Sequence, residues 1–114
     1  SVGAEEEDFK LTIGAFESGD SEVFDALAYH NSKPFSTYDR DNSQYEYAHC
    51  GNKYGGGWWF GRCHHALLTG DPSTAHESKL HGITWYNKTP RGSQPKEWLS
   101  LTHAVMMIRP TFGQ

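Results

Sequence analysis

Residues 9–16 alternate, with Phe9, Leu11 and Ile13 on one side and Lys10, Thr12 and Gly14 on the other. A period of two puts every second side chain on one face of an extended backbone, so the pattern predicts a strand with one buried face. After the turn composition Glu17-Ser18-Gly19-Asp20, the run from Val23 to Ala28 predicts a short helical turn capped by Asp20 or Ser21. His30-Asn31-Ser32-Lys33-Pro34 ends it, since proline cannot continue the hydrogen-bond pattern. Residues 35–38 predict a brief extended piece, Gly70-Asp71-Pro72-Ser73 a turn, and Gly82-Ile83-Thr84-Trp85 a short strand. Residues 87–96 carry Pro90, Gly92 and Pro95 and predict an exposed loop. Trp98 and Leu101, followed by Val105-Met106-Met107-Ile108, predict a last buried strand ending at Pro110, with both methionines as packing.

The densest stretch is Cys50-Gly-Asn-Lys-Tyr-Gly-Gly-Gly-Trp-Trp-Phe-Gly-Arg-Cys63, which holds both cysteines and two of the four tryptophans. Glycines beside bulky rings predict a backbone that turns tightly while Trp58 and Trp59 bury against it. Two readings compete for the cysteines. A disulfide would restrict the unfolded chain by about 3 kcal/mol and leave no spare thiol. The rival is chemistry at Cys63-His64-His65 or a zinc site with His49 and Cys50. Zinc ligands directly adjacent in sequence depart from common structural spacings, and no separate motif supplies an orienting carboxylate or an oxyanion hole for a nucleophile. The count favours the disulfide.

At 114 residues the chain is one domain, residues 1–114, and reads as loop-rich α+β with short antiparallel strands. A net charge of −4, with ten basic residues scattered along the sequence, offers no stripe to neutralise phosphates, so no nucleic acid partner is expected. No apolar run reaches a membrane-spanning length of about 18 residues, and Ser1 opens no signal-peptide pattern, so a secreted protein would be a mature or excised form. A disulfide favours an oxidising, extracellular setting. Asn87-Lys88-Thr89 is an N-glycosylation sequon consistent with it.

Asp39-Arg40-Asp41-Asn42-Ser43 spaces oxygen donors at alternate positions, as a loop around a hard cation does. The EF-hand pattern is absent, since Cys50 falls where its bidentate glutamate belongs, and taken alone the run is a solvated turn.

Phe35-Ser36-Thr37-Tyr38-Asp39-Arg40-Asp41-Asn42, Cys50, Gly56-Gly57-Trp58-Trp59-Phe60, Cys63-His64, Gly82-Ile83-Thr84-Trp85 and Met106-Met107-Ile108-Arg109-Pro110 occur here in that order. Together they resemble the C-terminal half of a fibrinogen-related domain, the module of ficolins, tachylectins, angiopoietins, tenascins and the fibrinogen subunits. The resemblance implies a loop-rich fold with Cys50 bonded to Cys63, a cis peptide between Arg62 and Cys63, and a non-catalytic, secreted recognition role. It implies calcium held by Asp41 and Ser43 with carbonyls near Tyr45 and Tyr47, although Ser43 stands where the family carries a carboxylate. A ligand pocket would use Tyr54, Arg62, Cys63, His64, Lys79 and Leu80, with Lys79 in place of a usual tyrosine. The ligand would be a glycan, an acetylated or anionic group, or in other relatives a protein. The family's N-terminal half is missing, so a companion chain or second copy is expected to complete the domain.

Overall fold

A computed structural model describes residues 1–17, 19, 23–87 and 97–110. Three short antiparallel strands form its sheet in the order β1 (Ala66–Leu67), β2 (Ile83–Asn87), β3 (Glu97–Leu101). Trp85 lies opposite Ala66 on one side and Leu99 on the other. The single α-helix among the described residues, α1 (Cys50–Tyr54), is five residues long. Three 3-10 turns, Glu5–Glu7, Ala26–His30 and Pro72–Thr74, complete the regular structure of the described residues. Elements this short draw little stability from propensity and depend on what they pack against.

That packing centres on the glycine-aromatic stretch. Ala26, Cys50, Trp58, Phe60, Ala66 and Leu67 are fully buried, and Leu11, Tyr54, Trp59 and Cys63 nearly so. Gly55 and Gly56 follow α1 with φ of 76° and 78°, a region costly for a residue with a Cβ, and reverse the backbone so that Trp58 pairs with Ser36. Trp58 packs edge-on against both Trp59 and His30.

The α+β, loop-rich class and the strand at residues 82–85 are found as expected. Other expectations are corrected. Residues 9–16 form no strand: Phe9 has φ of 55° and is exposed, and Leu11 alone bridges, to Val2. Leu11 instead donates its N–H to the Lys33 carbonyl and accepts the Ser32 N–H at its own. The helical turn begins at Ala26, with Asp25 accepting from the N–H of Ala28. Asp20, Ser21 and residues 88–96, where the other cap and the loop were expected, lie outside the described residues. The last strand stops at Leu101; Val105, Met106, Met107 and Ile108 are exposed, Met107 to 89%, so neither methionine is core packing.

Candidate functional site

Cys50 and Cys63 are bonded to each other, and no free cysteine remains. This disposes of the zinc and nucleophile readings, because a disulfide sulfur is neither ligand nor thiolate. The bond pins the start of α1, where His49 Nδ1 accepts the Asn52 N–H at 3.1 Å, against the segment that leads into β1. All peptide bonds among the described residues are trans, which corrects the expected cis bond between Arg62 and Cys63. The turn is made by Cys63 itself, with φ of 42°, closed by a Gly61 N–H bond to the Cys63 carbonyl.

The turn delivers His64 into an aromatic cage. Tyr54 from the end of α1 meets its ring edge-on at 4.8 Å, and Trp98 of β3 does so at 5.5 Å. His64 Nε2 donates to the Leu80 carbonyl at 2.9 Å, which fixes the tautomer and leaves Nδ1 as an acceptor. That Nδ1 is buried and has no partner among the described residues. Burial first, then repulsion from His30 once that ring is itself protonated, pushes the His64 pKa down to about 4, so at neutral pH the ring is neutral. Tyr54, Cys63, His64 and Leu80 are thus brought together, with Lys79 exposed beside them. Lys53, which sequence reasoning missed, holds its ammonium 5.3 Å from the Tyr54 ring centroid. Arg62 stands apart: its side chain is exposed, its N–H donates to Tyr29 Oη at 2.7 Å, and it faces a different hollow.

The acidic loop closes on itself. Asp41 Oδ1 accepts both the N–H and the hydroxyl of Ser43, at 3.0 and 2.6 Å, and the hydroxyl bond holds the Asp41 carboxyl below its usual range. Asp39 takes the Thr37 hydroxyl at 2.7 Å. Calcium asks for about six to eight oxygens with strong anionic character. Here one carboxylate stands where the family pattern has two, and its serine replacement is engaged as a clasp on it. Among the described residues no three His, Cys, Asp or Glu side chains gather closely enough to hold a metal. The residues present do not fit a tight calcium site. Tyr45 and Tyr47 meet edge-on at 5.8 Å, with Tyr47 largely exposed.

His30 is the residue that sequence reading undervalued. It is fully buried, its Nδ1 donates to the Trp59 carbonyl at 2.7 Å, and its Nε2 accepts the N–H groups of His65 and Ala66, each at 3.1 Å. No spacing signal could have found it, because its partners lie 29 to 36 residues away. Asn87, the sequon asparagine, is half-buried and its Oδ1 accepts the Phe24 N–H at 3.0 Å. Lys88 and Thr89 lie outside the described residues.

Residues 1–111 match the family model of the C-terminal globular domain of the fibrinogen beta and gamma chains. The protein is 36% identical over 111 residues to ryncolin-4 of Cerberus rynchops, covering 96% of this sequence and 30% of that protein. It is 39% identical over 121 residues to human fibrinogen-like protein 1, covering 96% of this sequence and 36% of that protein. The fibrinogen-like globe domain of human ANGPTL6 superposes with a TM-score of 0.53 at 37% identity, over 60% of this protein and 29% of that one. The sequence therefore spans about a third of the length of these relatives. The motif order, the disulfide and the family match together make this protein a member of the fibrinogen C-terminal domain family.

Proposed function

We propose that this protein is an extracellular, non-catalytic recognition module that binds the acetamido group of a glycan at the Tyr54–His64 cage. The observation that carries the reading is the buried Nδ1 of His64, unpartnered among the described residues. An acetamido group has the complementary parts: an N–H to donate to Nδ1 and a methyl to lie among the rings of Tyr54 and Trp98. Exposed Lys53, resting over Tyr54, is the side chain such a ligand displaces. A few hydrogen bonds and ring contacts make single-site binding weak, and repetition in an assembly strengthens it. The module binds without calcium, in keeping with the Asp41–Ser43 clasp. The Asn87 carboxamide, with its oxygen held by Phe24, leaves its nitrogen to carry an N-glycan.

Titration calorimetry with N-acetylglucosamine against glucose tests the reading. Saturable heat with the acetylated sugar alone, unchanged by a chelator and lost in His64→Phe, is expected. No heat at millimolar ligand overturns the reading, and loss of heat on chelation overturns its calcium independence. The second reading, a module that binds a protein ligand, is favoured by exposed Lys79 where the sugar-binding pattern carries a ring, and capture insensitive to acetylated sugar would support it.

The apolar surface calls for cover. Val2, Phe9, Trp59 and Ile108 line one hollow, and Leu11, Ile13, Leu27, Met106 and Met107 line the next. Exposed apolar area this continuous marks an interface. Its occupant, in this proposal, is the remainder of a fibrinogen-like globe, since the matched globe domain extends well beyond the portion present here. Size-exclusion chromatography is expected to show self-association or aggregation of the isolated protein, relieved by Ile108→Glu or by a polypeptide carrying the missing portion. A well-behaved monomer that binds no hydrophobic dye refutes this.

A further inference from the structure

A hollow of about 510 Å³ that shares no lining residue with the His64 cage is walled by Tyr29, Lys33, Asn42, Ser43, Tyr45 and Arg62. From its geometry we infer a second binding site, specific for a carboxylated sugar of the uronic acid type. Its floor is built to shape. A Cβ at Gly61 would come within 2.9 Å of Tyr29 Oη and 2.8 Å of Lys33 Cε, so glycine there is what lets the Tyr29 hydroxyl accept the Arg62 N–H at 2.7 Å. Tyr29 is held further by stacking on His65, with centroids 4.0 Å apart.

Charge selects the ligand. The only ion pair among the described residues joins Arg40 to Asp8, so neither Lys33 nor Arg62 has a carboxylate partner there. No acidic side chain lines the hollow: Asp8, Asp41 and Glu46 line the neighbouring one instead. Two cations with no carboxylate partner among the described residues, Lys33 resting its ammonium 5.4 Å from the Tyr29 ring centroid, share one concavity in a protein of net charge −4 and make a local site for an anion. A guanidinium fork takes a planar carboxylate through two parallel hydrogen bonds, and the ammonium adds a point charge. The remaining walls suit a sugar better than a bare anion. The Tyr45 ring offers flat apolar surface to the C–H face of a pyranose, and Asn42 and Gln44 offer polar groups to its hydroxyls. The volume falls within the range of small-molecule sites, about 300 to 1,000 Å³.

The test is an NMR or calorimetric titration of the whole protein with glucuronate, with glucose, inorganic phosphate and acetate in parallel. Saturable binding of glucuronate is expected, with none for glucose and weaker binding for phosphate and acetate. Arg62→Gln, at an exposed position, and Lys33→Gln, at a half-buried one, are each expected to weaken glucuronate about tenfold, and added salt to weaken it further. Tyr45→Ala is expected to weaken glucuronate and leave acetate unchanged. The same Arg62→Gln protein should bind N-acetylglucosamine as before, so failure here and failure at the His64 cage are told apart. Equal affinity for phosphate, acetate and glucuronate would reduce the hollow to a general anion site and overturn the sugar assignment. No saturation with glucuronate, or no effect of Arg62→Gln, overturns the site itself.

Discussion

Replacing His30 with alanine is expected to lower the stability of this domain by about 4 kcal/mol, a large share of what a protein of this size holds. The ring ties three separate segments together. Its Nδ1–H caps the Trp59 carbonyl, while its Nε2 receives two successive backbone N–H groups at the entrance to β1. Truncation removes the acceptor and leaves the Ala66 N–H stranded where Ala66 is wholly buried, and an orphaned donor of that kind costs about 1–3 kcal/mol. The rest comes from the cavity left beneath Trp58, whose ring packs on His30 at 5.8 Å. Denaturant unfolding should show a lower midpoint at unchanged slope, and the Ala66 amide should exchange much faster. A loss under about 1 kcal/mol would mean that these donors find other partners, contrary to the burial observed.

His30 also shows where sequence reading stops. A histidine's role depends on what faces its two nitrogens, and here both sets of partners are distant in sequence. The cysteine stretch was legible because its signal is local: glycines next to rings require a turn and a buried surface, and Tyr54 to Cys63 supplies both. Gly82-Ile83-Thr84-Trp85 was legible for the same reason, with Thr84 buried in the middle strand of the sheet. Phe9 and the run from Val105 to Ile108 misled because hydrophobicity reports a preference for burial without saying against what. Among the described residues nothing covers Met107 or Ile108, so no ladder forms there. The candidate site was half legible. Tyr54, His64 and Leu80, which motif order groups, are neighbours in the structure, but the position of Arg62 on a separate hollow follows from the Cys63 turn, which no residue type announces. Ser43 stands out in the sequence as a missing carboxylate; that its hydroxyl clasps Asp41 follows only from how the loop closes.

Lowering the pH from neutrality to about 4 is expected to remove several kcal/mol of stability, most of it through two histidines. Burial is the main cause that pushes His30 down to about 4; the charges of His65 and Lys33 act the same way, and the bond to the Trp59 carbonyl acts against them. His64 is pushed down to about 4 as well, again chiefly by burial. Geometry agrees, since a proton on His30 Nε2 would face two N–H donors and one on His64 Nδ1 would meet no acceptor among the described residues. In the unfolded state both rings titrate near 6.5, so between 6.5 and about 4 the unfolded state holds more protons and each falling pH step favours it. The contribution of the neutral rings is therefore complete above 6.5, shrinks as pH falls, and is gone below about 4. Each shift corresponds to at most about 3 kcal/mol. Urea midpoints followed by tryptophan fluorescence should fall steeply across that window. In His64→Phe, which fills the cage with a ring that cannot titrate, the fall should be roughly half as steep. Midpoints that stay level through the window would mean that neither ring is held neutral, and the cage assigned to the acetamido group would lose its unpaired acceptor.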